Sequence, residues 1–252
     1  MPDESTPQKY AIACKTAGLP GGNVNAIGSL NETDLHAEVK EWYAAPDDQL
    51  EVAVDGFVID LLRADGELVE IQTANFGALR AKLNALLPAH RVRVVYPVAQ
   101  QKWIVKISEE GEIISRRKSP KAGRVEAIFG QLVYLPQALG HPNFCLDVLM
   151  VQAEELWRAH AKGGKRGWRR QGWIVHGRRL LDVLACHTFT QPSQLAQLLP
   201  DNLPPPYTTG ELAKASGLPP RLAGQMAYCL REMGQIQVTG KRGNALLYTQ
   251  SI

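Results

Sequence analysis

The 252-residue chain predicts an α/β protein, with a mixed strand-and-helix core in its first half, a basic α/β middle segment and a helical unit ending in a hairpin. Three patterns carry this. Between Leu50 and Thr73, two period-two runs, FVIDLLR and ELVEIQT, flank Ala64-Asp65-Gly66, a Gly-containing interval of β-hairpin length. Segments on both sides of it place apolar residues at helical spacing. In the last fifty residues, two helical stretches are separated by Gly217 and followed by a second hairpin pattern.

In chain order, residues 1–31 are polar, Gly-rich and without a sustained period, and are expected to form a flexible arm. Thr33 is placed to cap a helix through Tyr43, with Leu35, Val39 and Trp42 on one stripe. After the central hairpin, Phe76, Leu79, Leu83, Leu86 and Leu87 recur at helical spacing until Pro88 ends the helix. The runs RVRVVYPV and KWIVKI read as two strands, so a core of helix, three strands, helix and strand spans residues 32–107. Within it Arg80 and Lys82 read as surface charges or phosphate contacts.

The middle segment, 108–199, is less legible. SEEGEIISRRKSPKAGR reads as a hairpin or loop with a small basic cluster, and FCLDVLMVQAEELWRA and WIVHGRRLLDVLACHTF as two strands or mixed segments. Between them, residues 162–179 hold seven Lys or Arg and no acid, with Trp168 and Trp173 interleaved. Cations suit phosphates and an indole stacks on a base, so Lys165, Arg166, Trp168, Arg169 and Arg170 are expected to contact nucleic acid.

If Asp65 sits at the centre of the hairpin turn, Asp60 and Glu70 face each other across the ladder, with Gln72 on the face of Glu70. Opposed carboxylates in apolar strands repel, and an unpaired buried charge is costly, so a cation is expected between them. Magnesium or manganese, hard cations that take carboxylate and carbonyl oxygens, would serve. An Asp on one strand followed by Glu-x-Lys on the next resembles the signature of the PD-(D/E)xK nuclease superfamily; here it reads Asp60, then Glu70-Ile71-Gln72. The resemblance covers roughly residues 33–107. Ile59 stands where the motif is named for Pro, and Gln72 where it is named for Lys. It implies a restriction-endonuclease-like core and metal-dependent hydrolysis of phosphodiester bonds. Asp60 and Glu70 would hold Mg2+ or Mn2+, with the Ile71 carbonyl as a further ligand, Glu38 assisting from the preceding helix, and Gln72 orienting water.

Residues 200–252 follow the Pro-rich DNLPPPY. Thr208 or Thr209 caps the helix GELAKAS, Gly217 makes the turn, and a helix from Pro219 to Met233 buries Leu222, Met226 and Leu230. IQVTGKRGNALLYTQ then forms a hairpin with Lys241 and Arg242 at its tip. This order resembles a winged helix-turn-helix domain, which implies DNA contact through Arg221, Gln225, Arg231, Lys241 and Arg242. The fold also serves in protein interaction, which leaves a homodimer open.

The distribution of charge fits a nucleic-acid enzyme. Residues 1–107 hold 10 Lys and Arg against 14 Asp and Glu, and residues 108–252 hold 18 against 11. No apolar run reaches the roughly 18 residues of a membrane span, and MPDESTPQKY lacks a signal-peptide plan, so a cytoplasmic location away from membranes is expected. Cys14, Cys145, Cys186 and Cys229 are widely spaced, without a C-x-x-C pair, and are expected to be reduced and mainly buried. Two further readings stand beside the nuclease. One is a non-catalytic DNA-binding or regulatory protein on the same fold, and the other is a winged-helix interaction module.

Overall fold

A computed structural model describes residues 35–159 and 172–251. The expected N-terminal arm, the Thr33 cap, and Lys165, Arg166, Trp168, Arg169 and Arg170 lie outside the described residues. Helix α1 (Leu35–Tyr43) leads into strands β1 (Gln49–Val54), β2 (Phe57–Leu62) and β3 (Leu68–Ile71). A 3-10 turn, Phe76–Leu79, and helix α2 (Arg80–Leu86) then return the chain to strand β4 (Val92–Ile107). The expected core order is therefore present. RVRVVYPV and KWIVKI, however, form one strand of 16 residues. Pro97 does not interrupt it, and the register shift against its neighbour between Ala99 and Gln101 absorbs the irregular middle.

Strand β5 (Ile113–Lys118), short helix α3 (Phe129–Leu132), and the long strands β6 (Phe144–Ala159) and β7 (Trp173–Phe189) make up the middle segment. One seven-stranded sheet results, in the order β1-β2-β3-β4-β6-β7 with β5 also on β4. β3 and β6 both run parallel to β4, whereas β1–β2, β2–β3, β4–β5 and β6–β7 are antiparallel. The sheet is thus mixed. Among the described residues no helix is long and apolar enough to cross a membrane.

Two layers cover the sheet. Leu35 and Val39 of α1 pack with Leu61, Val69, Ile71 and Val95, while Leu83 and Leu86 of α2 pack with Leu68, Val92 and Val94. Adjacent residues of a strand point to opposite faces, so the two helices lie on opposite sides. On the α1 side a polar network is buried. Asp147 of β6, 2% exposed, accepts from Tyr43 Oη at 2.5 Å, Thr188 Oγ1 at 2.7 Å and Arg93 Nη1 at 3.1 Å. Arg93 also pairs with Glu67, so every charge in this cluster has an opposite.

After helix α4 (Pro192–Ala196) the C-terminal unit begins. Thr208 caps helix α5 (Thr209–Ser216) by a reciprocal capping box with Glu211, and Gly217 ends it at φ 66°, a conformation that favours glycine. Helix α6 (Pro220–Glu232) and the hairpin β8 (Ile236–Arg242) with β9 (Ala245–Gln250) complete the unit. Leu222 is only half-buried, and Ala223, Ala227 and Cys229 join Met226 and Leu230 in the interior. The extra buried face has a physical cause: α6 also packs against the core, where the Cys229 thiol lies 3.8 Å from the Phe129 carbonyl. One hydrophobic cluster runs from Val92 and Phe144 of the sheet through Phe129 and Leu132 to Met226 and Leu230.

Candidate functional site

The register of β2 with β3, Leu61 opposite Val69 and Leu62 opposite Leu68, would set Asp60 opposite Glu70 if it continued. It stops there. The Ile71 N–H donates to Asp60 Oδ2 at 2.8 Å, so a side chain takes a backbone donor at the point where the ladder ends. Ile59 packs in the cluster on the α2 side and Leu61 in the cluster on the α1 side, although residues two apart in an unbroken strand share a face. β2 therefore turns over at Asp60. Across from it in β1, Glu51 is left-handed, with φ 53°.

This corrects the expectation that the two carboxylates face each other. Asp60 reaches toward α1, where His36 Nε2 is 3.2 Å from Oδ2 and Lys40 Nζ 3.9 Å from Oδ1. Lys40 is shared with Glu51 at 2.7 Å. Glu70, 5% exposed, instead meets the Lys82 ammonium of α2 in an ion pair, and Lys82 also donates to the Val58 carbonyl at 2.5 Å. Repulsion between the two carboxylates is relieved by turning one strand over, which sets Asp60 near Lys40, shared with Glu51, and Glu70 against Lys82.

The electrostatics of the two acids differ. Burial pushes Asp60 up, but the hydrogen bonds from His36 and Ile71 N–H and the charge of Lys40 outweigh it and hold the carboxyl below its ordinary value. Burial dominates at Glu70 and raises it. The Lys82 bond opposes that rise, the nearby Asp60 charge adds to it, and the Asp60 N–H lowers it slightly. Glu70 Oε1 is buried against the Lys82 ammonium, its ion-pair partner.

The other expected site residues are placed as follows. Glu38 Oε2 accepts the Leu180 N–H of β7, and the α1 residues that meet Asp60 are His36 and Lys40. Gln72 follows β3 directly, and its amide donates to the carbonyls of Ala74 and Asn75. Its N–H groups thus hold the loop into α2. Sequence reasoning missed His36 and Lys40 and read Lys82 as a surface charge or phosphate contact, whereas it pairs with Glu70. Among the described residues no three His, Cys, Asp or Glu side chains gather to hold a metal. The donor chemistry still fits magnesium, which is commonly held by one or two carboxylates together with waters and substrate phosphate. Asp60 and Glu70 stand on neighbouring strands, close enough for the charge of one to raise the other, and both would have to turn from Lys40 and Lys82 to share one ion.

On α6, Arg221 and Tyr228 are exposed and Gln225 is half-buried beside Gly130. Arg231 pairs with Glu232 at 2.7 Å and lies over the Tyr228 ring. Lys241 and Arg242 are exposed at the hairpin end, with Arg242 joined to Glu211 of α5 at 2.7 Å. Cys145 and Cys229 are buried free thiols, each pushed up to about 12 by burial, and Cys186 is partly exposed. A cavity of about 560 Å³ opens elsewhere, lined among others by Ser193, Gln197, Tyr207 and Gln235, and neither Asp60 nor Glu70 borders it.

Residues 33–190 match a family described as a domain of unknown function, DUF8091, and the chain belongs to that family. An uncharacterized protein of Treponema pallidum (strain Nichols) is 33% identical over 223 residues, covering 88% of this chain and 86% of that one. A likeness of that length continues past residue 190, beyond the family match. No solved structure matches the chain.

Proposed function

We propose that the protein is a metal-dependent nuclease that hydrolyses phosphodiester bonds in DNA, with Asp60 and Glu70 at its centre. The observation that carries this reading is a half-buried and a buried carboxylate, Asp60 and Glu70, on neighbouring strands at the point where their ladder breaks, with a lysine in contact with Glu70. The element order, with three antiparallel strands followed by a helix and a strand parallel to the third, supports it. Mg2+ or Mn2+ on these oxygens would supply charge for the phosphoryl group and lower the pKa of a bound water. Lys82 brings the positive charge that Gln72 lacks, and His36 and Lys40 keep Asp60 ionised. The Gln72 amide fixes the loop at the strand end. The winged-helix-like unit would present DNA through Arg221, Lys241 and Arg242.

Incubation of the full chain with supercoiled and linear DNA in Mg2+ or Mn2+ tests this. Cleavage should occur and should be lost in Asp60→Asn. Absence of cleavage with either metal, in a folded protein that still binds DNA, would overturn it. A second reading, a non-catalytic DNA-binding protein, is favoured by one observation: each carboxylate already lies against a lysine, Asp60 near Lys40 and Glu70 on Lys82. Thermal unfolding separates the two, because only a metal-holding site gains stability from Mg2+ in proportion to RT ln(1 + [L]/Kd).

A further inference from the structure

One edge of β4 carries two short strands in line. β6 pairs with the other edge along the full length of β4. The remaining edge therefore holds β3 opposite Val92–Val95 and, farther along, β5 opposite Trp103–Ile107. The segment after β5 continues in the same direction along the gap, with Ser119 N–H on the Lys102 carbonyl at 2.7 Å and Gly123 N–H on the Ala99 carbonyl at 2.9 Å. The C-terminal ends of β3 and β5 point toward one another. One is the end with Glu70, and the other is the basic run Arg116-Arg117-Lys118.

All six residues of β5 are exposed. Arg116 and Lys118 flank the Trp103 ring at 5.1 and 5.5 Å, and Arg116 also pairs with Glu154 at 2.6 Å. Lys118 donates to Gln101 at 3.0 Å. Arg117 and Lys121 extend with no side-chain partner among the described residues. Cations on an edge strand also discourage strand-to-strand aggregation, but that purpose alone does not require a partly exposed indole clamped between two of them.

We infer that this strip is a rail for a nucleic-acid backbone, in register with the Asp60–Glu70 site; the inference rests on the nuclease reading. Glu70 lies opposite Val94 and Arg116 opposite Val105, and because β4 carries one extra residue between Ala99 and Gln101 their partners on β6, Leu146 and Leu156, are ten positions apart. At strand rise that is about 33 Å. A B-form duplex repeats its face about every 34–36 Å, roughly ten base pairs. A duplex laid along this edge therefore presents equivalent phosphates to the carboxylates and to β5, one turn apart. An acidic protein segment has no such repeat.

The test uses the full chain in Ca2+, a hard cation that carboxylates take and that can hold phosphate at the Asp60–Glu70 end, with a 20-base-pair duplex and a 7-base-pair hairpin duplex over a series of salt concentrations. Two variants are compared: Arg116→Gln with Arg117→Gln and Lys118→Gln, and the milder Arg117→Gln with Lys121→Gln, which breaks no internal contact. For the 20-base-pair duplex, the log-log salt slope should fall by about two to three units in the first and about one to two in the second, at roughly 0.9 per phosphate contact. For the hairpin, too short to span one turn and free to sit at either end alone, both slopes should fall by clearly less. Equal slopes for wild type and both variants on the longer duplex would overturn the rail. So would an equal loss on both lengths, or an equal loss of binding to polyglutamate, which would indicate general charge attraction. If cleavage fails in Mg2+ while these slopes change as expected, the nuclease reading falls and the rail stands.

Discussion

Glu70 and Lys82 form a buried pair whose separation into its parts is measurable. Lys82→Met leaves Glu70 without its cation and should cost about 3 kcal/mol, whereas Lys82→Met with Glu70→Gln should recover most of it, as read by denaturant unfolding of the three variants. Equal losses in the single and double variants would show that the two side chains act independently. Acid titration gives a second measurement. Asp60 sits below its ordinary value, so its contribution is present above its unfolded pKa and disappears as pH falls through the folded one. Glu70 is raised, so the folded state takes up its proton first, and its contribution is greatest at low pH and disappears as pH rises through the folded pKa. Glu70→Gln should therefore remove a stability gain that the wild type shows on mild acidification; identical pH profiles would refute the assignment. Asp60 and Glu70 were legible because a turn centred on Asp65 sets their register by counting. His36, Lys40 and Lys82 were not, because their partners lie across the sheet in space. A weak signal existed. Each borders the apolar stripe of its helix, His36 and Lys40 next to Leu35 and Val39 and Lys82 next to Leu83, where long side chains bend toward the core.

At the scale of elements, the segment after β5 depends on Gly123. A Cβ there would stand 2.6 Å from the Ala99 carbonyl oxygen and 2.8 Å from a Val98 methyl. Gly123→Ala should destabilise by about 1–3 kcal/mol through overpacking, seen as a lower melting temperature, and it should loosen β5 from β4 in hydrogen exchange. An unchanged melting temperature would mean that the strand edge yields freely. The first half of the fold was readable because its helices and hairpin show clean periods between turn residues. The middle segment was not. β6 is buried on nearly every residue and so shows neither period two nor period 3.6, and β7 is partly exposed along both faces. The C-terminal helices were recovered with their cap and turn, since Thr208, Glu211 and Gly217 are local chemistry. The second buried face of α6 was not, because small residues such as Ala223 and Ala227 mark close approach only once a neighbour is known.

Over the whole molecule, a single cluster joins the sheet to the C-terminal unit, so heat or denaturant should unfold both in one transition, with tryptophan fluorescence and far-UV dichroism coinciding. Two separated transitions would show that the contact between α3 and α6 contributes little. Arg124 adds a second tie to the C-terminal unit, with one guanidinium nitrogen on the Ser216 carbonyl of α5 at 2.7 Å and the others on Glu126. The same continuity bears on how the gene can be cut. A chain truncated at residue 190, where the family match ends, would strip α6 from Ile128, Phe129 and Leu132 and leave three large side chains, all 0% exposed in the intact chain, facing water. Such a fragment should express into inclusion bodies, whereas one retaining the residues through Ser251 should stay in the soluble fraction.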